Sequence, residues 1–261
     1  MKGPLSETAN DDSSLNSGDR IPTFGFFPVL ASLMGYALSS SPFSAFAQIQ
    51  FHELGHALAS WWIGAFALPL PWGLTFWGPS HHPLALLCFS GFGMIWILKA
   101  SQERLPLARL LGVAALLTHY CALICLTDQR ADDWRVWGGP LGEISLPVVG
   151  LILFFIPVPH KLRWDFWRYP AVVFAMLGVF GQHTAWADFH RSSGLPLGSL
   201  LGGRGDLNGD MNRILVMGWT QVELLNRLHQ ISVIAVAITV TISIVSLLYY
   251  FASRKRVKSR Y

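Results

Sequence analysis

The chain has 261 residues, 52% of them hydrophobic and only 13% charged, against the roughly 25% charged residues of an ordinary soluble domain, so a soluble enzyme is excluded and an integral membrane protein is expected. The net charge of +4 is concentrated in Arg254, Lys255, Arg256, Lys258 and Arg260 directly after an apolar run, which reads as a cytoplasmic anchor facing anionic lipid and not as a nucleic-acid surface. The three cysteines, Cys88, Cys121 and Cys125, lie in apolar segments and indicate neither a disulfide framework nor a cysteine-rich zinc site.

Residues 1–22 are polar, carry Glu7, Asp11, Asp12 and Asp19, and lack a basic region beside a short apolar run. A disordered tail is expected there, without a cleaved signal peptide. Crossing a bilayer takes about 20 helical residues, and apolar runs suited to it fall at about 23–40, 42–64, 83–100, 106–127, 145–159, 170–190 and 231–251. The expected fold is all-α, a polytopic helical membrane protein with about seven transmembrane helices in one domain over 23–251, followed by the basic tail 252–261. The second run opens at Ser41-Pro42, a serine cap followed by proline in the first turn, and ends near Gly64.

The connector after it, residues 65–82, is apolar but broken by Pro69, Pro71, Gly73, Gly78 and Pro79, so it reads as a short hairpin or re-entrant loop. A second long connector runs from Gly194 to Asp210. It then becomes amphipathic, with Ile214, Leu215, Met217, Leu224, Leu225 and Leu228 between Arg213, Glu223 and Arg227, and predicts a helix against the interface or the bundle. Orientation follows the basic residues. Lys99, Arg104 and Arg109, and then Lys161, Arg163 and Arg168, share the inner side with the C-terminal tail. The acidic N-terminus, a connector with Asp128, Asp132, Asp133 and Glu143, and residues 191–230 lie outside, giving an N-out, C-in protein of a cell membrane.

Within the second run stands His52-Glu53-Leu54-Gly55-His56. Residues four apart share a helix face, so both imidazoles can reach one metal ion. Such a cluster in lipid is expensive and marks a functional site. A catalytic zinc usually takes three protein ligands and a water. His52 and His56 supply two, and Glu53, next along the helix, is placed to act as general base and then acid. The third must come from the outer ends of other spans or the outer loops, where Asp210, His183, Asp188 and His190 all qualify; His119, mid-span, stays open as a further candidate, and His160 is on the inner side. For His81, His82 and His229 a satisfied or solvated histidine is the simpler reading.

The stretch Phe51-His52-Glu53-Leu54-Gly55-His56-Ala57-Leu58-Ala59 resembles the first motif of the site-2 protease family of intramembrane zinc metalloproteases. In that family a later span carries a Leu-Asp-Gly-Gly-Arg type motif whose aspartate completes the zinc site. Gly209-Asp210-Met211-Asn212-Arg213-Ile214-Leu215 is similar, with Asp, two residues, then Arg-Ile-Leu. The resemblance implies Zn2+ as cofactor, Asp210 as third ligand, and cleavage of a peptide bond in or near a transmembrane segment of a membrane-protein substrate. His183, Asp188 and His190 are then site-lining or substitute ligands. The connectors leave no room for an inserted PDZ-like domain. Gly205-Asp206-Leu207-Asn208-Gly209-Asp210 also resembles the start of a calcium loop, but the position for its closing bidentate acid is Met217, and a Gly/Asn/Asp turn capping the next helix is preferred for Asp206 and Asn208. Within the enzyme class the alternative is a membrane zinc protease with a glutamate as third ligand, for which Glu143 and Glu223 are the outer-side glutamates outside the motif and N-terminal tail, neither in a recognisable motif; from another class it is a non-proteolytic membrane-embedded metal-binding protein, a transporter or scaffold. A transporter would spread ionisable residues along a path through the bilayer, and the inner halves of these spans hold almost none.

Overall fold

The computed structural model describes residues 20–159, 165–199, 203 and 206–258. Residues 1–19 of the expected N-terminal tail, together with His160, Lys161, Arg163, Gly205 and 259–261, lie outside that set. Among the described residues there are eight helices and one hairpin: α1 Arg20–Ala37, α2 Pro42–Trp62, β1 Ala67–Leu70, β2 Leu74–Trp77, α3 Pro83–Gln102, α4 Pro106–Cys125, α5 Asp128–Phe155, α6 Asp165–Ser192, α7 Asp210–Val216 and α8 Gln221–Lys258. Four of these helices are long and apolar enough to cross a membrane: Pro83–Gln102, Pro106–Cys125, Asp128–Phe155 and Gln221–Ala252. Gly25–Ala37 is apolar but shorter.

Local chemistry sets the ends of α2. The Ser41 hydroxyl accepts from the Ser44 N–H at 3.3 Å and Pro42 opens the first turn. At the other end Gly64 takes φ +69°, its N–H bonding the Trp61 carbonyl while that of Ala65 bonds Ser60, which closes the helix as a Schellman motif. The chain then turns into the hairpin, with Ala67 opposite Trp77 and Leu70 opposite Leu74. Its three-residue turn ends on Gly73 at φ +84°. Hydrogen bonds from Gly78 N–H to Phe66 and from His82 N–H to Gly64 tie the hairpin back to the end of α2.

Two expectations are corrected. Asp128, Asp132, Asp133 and Glu143 do not lie in a connector, because α5 begins at Asp128 and runs unbroken through Pro140 and Pro147 to Phe155. The linker from α4 is only Leu126-Thr127, and Thr127 caps α5 by accepting from Arg130 N–H. Asp128 and Asp132 are exposed on the helix surface, the buried Arg135 reaches Asp132 at 2.7 Å and Ser80 at 2.7 Å, and Glu143 is paired within the fold. The amphipathic stretch after Asp210 is likewise not one helix. Gly218 at φ +98° ends α7, and Thr220 and Glu223 exchange hydrogen bonds as a capping box that starts α8. Leu224, Leu225 and Leu228 therefore belong to the first turns of the last helix, where they are buried against Met211 and Ile214 of α7 and Val136 and Ile144 of α5.

α2 and α5 make the closest helix pair. A Cβ added to Gly55 would stand 2.1 Å from the Gly138 carbonyl oxygen, and one on Gly142 would stand 2.4 Å from the Gly55 Cα, so no larger residue fits the crossing. α6, α8 and α1 complete the bundle around a second cluster that includes Ala31, Leu151, Phe154, Val172 and Met176. α3 and α4 form an antiparallel pair at its side, held to α2 by the His119 Nδ1–H, which donates to the Trp62 carbonyl at 2.7 Å. Their outer faces carry Leu87, Leu98, Leu110, Leu117 and Ile124, all exposed.

Candidate metal centre

The site forms where α2, α5 and α7 meet. His52 and His56 are one helical turn apart on α2, with Nε2 atoms 3.2 Å from each other. Asp210, the first residue of α7, brings Oδ2 to 2.8 Å from His52 Nε2 and 3.0 Å from His56 Nε2. Among the described residues these three are the group of His, Cys, Asp and Glu side chains that could hold a metal ion.

The donor chemistry fits a cation. His56 Nδ1 lies 2.7 Å from the Arg135 carbonyl oxygen, an acceptor only, so Nδ1 carries the proton and a neutral His56 offers a bare lone pair at Nε2. His52 Nδ1 faces the Glu143 carboxylate at 3.2 Å and has the same tautomer. With both imidazoles neutral, as ligation requires, three acceptors converge on one point. Tetrahedral zinc with bonds of about 2.0–2.1 Å would set its ligand atoms about 3.3 Å apart, so the observed 2.8–3.2 Å needs only slight expansion to admit one. Without an ion, burial pushes the Asp210 carboxyl toward its neutral form, and hydrogen bonds that His52 and His56 donate from a protonated Nε2 reverse this and hold it below the usual carboxylate range.

Gly139 of α5 makes the space. A Cβ there would lie 2.4 Å from His56 Nε2 and 2.6 Å from His52 Nε2. Glu53 is buried on the next face of α2, where Thr75 of β2 hydrogen-bonds its Oε2 at 2.6 Å and its carbonyl at 3.0 Å. Trp77, also on β2, packs its ring 5.6 Å from that of His56. Glu53, Glu143, Asp210 and both histidines open onto a cavity of about 590 Å³, bounded by Leu74, Thr75 and Trp77 of β2, by Trp186 and Phe189 of α6, and by the loop Pro196–Ser199.

That loop holds Asp210 in place. Asn212 accepts the Gly198 N–H at 2.8 Å, and Gly198 lies so close to Gly209 that a Cβ on Gly209 would meet its carbonyl oxygen at 1.9 Å. Met211 and Asn212 thus anchor α7 below and beside the aspartate, Met211 through the core and Asn212 through the loop. Asp206 forms the expected turn, accepting from Asn208 N–H at 2.9 Å and from the Ser199 hydroxyl, which holds its carboxyl below the usual range. It does not cap α7, whose cap Gly209 has no side-chain bond.

The substitute ligands lie elsewhere. His183 Nδ1 is 3.2 Å from Ser232 Oγ, His190 Nε2 is 2.9 Å from Asn226, and both rings stack on His229, on the side of α6 that faces α8. Asp188 is exposed and pairs with Arg191 at 3.4 Å. His119 caps α2, and His82 precedes α3 with its N–H on Gly64. Thr75 was not anticipated at the site, and Glu143, weighed only as a rival third ligand in an outer connector, stands behind His52 on α5. The signal for Glu143 was present, since it is the last charged residue before the apolar run Ile144–Phe155. No protein-family model, no curated protein and no solved structure matches the chain.

Proposed function

We propose that the protein is an intramembrane zinc metalloprotease of the site-2 protease type, cleaving a peptide bond in or near a transmembrane segment of another membrane protein. One observation carries this reading: two imidazoles and a carboxylate converge within 3.2 Å beside the buried Glu53, on the wall of a cavity bordered by a β-strand. A binding protein needs the ligands; the adjacent carboxylate and a strand-lined cavity are what hydrolysis adds. In this reading α1, α2 and α6 span the membrane with the four strongly apolar helices, seven in all, N-out and C-in in a cell membrane.

His52, His56 and Asp210 would hold the ion. Zinc bound there supplies Lewis-acid polarisation of the scissile carbonyl and acidifies a water. Glu53 takes the proton from the attacking water and delivers it to the nitrogen of the leaving amine. Thr75 keeps the Glu53 carboxylate at the cavity wall by donating to Oε2. A helical peptide bond has no exposed carbonyl to attack, so the substrate must be extended. β2 and its turn border the cavity while β1 does not, and the substrate segment adds to β2 as a further strand. Trp186, Phe189 and Leu197 then receive its apolar side chains.

Glu53→Gln should retain stoichiometric zinc and yield none of the new protein termini that wild type generates in the same membranes. The measurement is terminal-peptide mass spectrometry on membranes expressing each variant, with metal analysis of the purified proteins. Identical new termini in the Glu53→Gln membranes would sink the mechanism.

A further inference from the structure

We infer that Glu143 is a positioning residue of the metal centre: it orients His52 and raises the basicity of its Nε2, and with the Arg135 carbonyl it makes α5 the template that aims both imidazoles. The inference rests on the metal reading above.

The register of α5 supports it. Residues 135, 139 and 143 follow at intervals of four and share one helix face. Helical carbonyls point toward the C-terminus and Cα–Cβ bonds toward the N-terminus. The carbonyl of Arg135 and the side chain of Glu143 therefore lean toward each other, both toward the level of Gly139. Gly139 is where the rings sit, its missing Cβ leaving room for the two Nε2 atoms. The Arg135 oxygen takes the Nδ1–H of His56 at 2.7 Å, and Glu143 Oε2 takes that of His52 at 3.2 Å. Each imidazole is thus held from behind by an acceptor on α5, with its lone pair turned toward the other and toward Asp210.

The two acceptors differ in charge. A carboxylate behind an imidazole strengthens it as a ligand more than a carbonyl does, and loss of such a partner typically weakens metal affinity about 10–100-fold. Among the described residues Glu143 pairs with His52, whereas the buried guanidinium of Arg135 is engaged by Asp132 and Ser80. Its side chain is 17% exposed, enough to border the cavity and too little to be solvated freely. An acid at the edge of an apolar helix is costly, and pairing with His52 gives it a reason to be there.

The test uses the full-length purified chain, stripped with a chelator and titrated with zinc against a chromophoric competitor, and separately with Co2+ to read the visible ligand-field bands. Glu143→Ala should bind zinc about 10–100-fold more weakly than wild type and shift the cobalt bands, with Glu143→Gln in between, because the amide oxygen still accepts but carries no charge. Ser145→Ala, an exposed neighbour on α5, should match wild type. Glu143→Ala with zinc affinity within twofold of wild type and unchanged cobalt bands overturns the assignment. If melting curves show that Glu143→Ala does not fold without metal, Glu143→Gln decides: affinity weakened threefold or more supports the inference, and wild-type affinity with wild-type bands overturns it. The metal reading has its own control. Wild type that binds no zinc, or His52→Ala that binds as wild type does, removes the centre and this inference with it, whereas binding lost in His52→Ala but kept in Glu143→Ala removes only the role of Glu143.

Discussion

Gly139→Ala puts one methyl group into the centre, and the structure fixes how far things must move. The added Cβ would stand 2.4 Å from His56 Nε2 and 2.6 Å from His52 Nε2, where ordinary contact begins at 3.4 Å, so a separation of about 1 Å must be found. The rings cannot supply it by turning without lengthening the Nδ1 bonds to Arg135 and Glu143. Helix α5 cannot supply it by backing away without opening the Gly55 contacts on either side, at Gly138 and Gly142. Overpacking of this kind costs about 1–3 kcal/mol of stability. Ligand positions tolerate only about ±0.2 Å, so a shift of about 1 Å should weaken zinc binding by about 10²-fold, equivalent to about 2.8 kcal/mol. The assay is a competitive zinc titration on the detergent-solubilised protein, with thermal unfolding of the metal-free form beside it. Gly150→Ala is the control on the same helix, because its Cβ would meet nothing closer than Ala175 Cβ at 3.8 Å. Zinc affinity of Gly139→Ala within threefold of wild type would refute the placement of the rings against α5.

Two other outcomes separate neighbours that look alike in sequence. Thr75→Val keeps shape but removes the hydroxyl on Glu53; a hydrogen bond to a charged group is worth about 1.5–3 kcal/mol, so turnover should fall at least about 10-fold while zinc affinity stays within twofold, and unchanged turnover would remove β2 from the catalytic apparatus. His183→Ala should leave zinc affinity unaltered, because that ring bonds Ser232 and stacks on His229 away from the triad; a tenfold loss of zinc would show that the ligand set was wrongly drawn.

What could be read from the residues alone followed the range of each signal. His52, Glu53 and His56 lie within five positions, and Ser41-Pro42 and Gly64 mark the ends of their helix by rules that act over one turn. The hairpin was legible for the same reason, through Pro69, Pro71 and Gly73. Asp210 was open among several candidates until the resemblance of its surroundings singled it out, since nothing local says that a helix start after a long loop returns to α2. Glu143 was placed in a connector through a counting rule: four acids between Asp128 and Glu143 suggest a solvated segment, yet all four sit on one helix, where Arg135 pairs with Asp132 and His52 with Glu143. The Thr220-x-x-Glu223 box was a local signal passed over in favour of the longer apolar periodicity around it, and the shorter-range rule prevailed.

The distances along the chain between the partners of α2 have a consequence for biosynthesis. His56 waits 79 positions for Arg135, and His52 waits 91 for Glu143 and 158 for Asp210. At about 5–20 residues per second a ribosome needs several seconds to make the first of these partners. In the proposed topology, with α2 as a span, that helix carries two imidazoles and a carboxylate through this interval into a membrane that offers them nothing. On that topology the motif helix is the segment that the insertion machinery must shelter or delay, and a nascent chain arrested before α5 should leave α2 accessible from water.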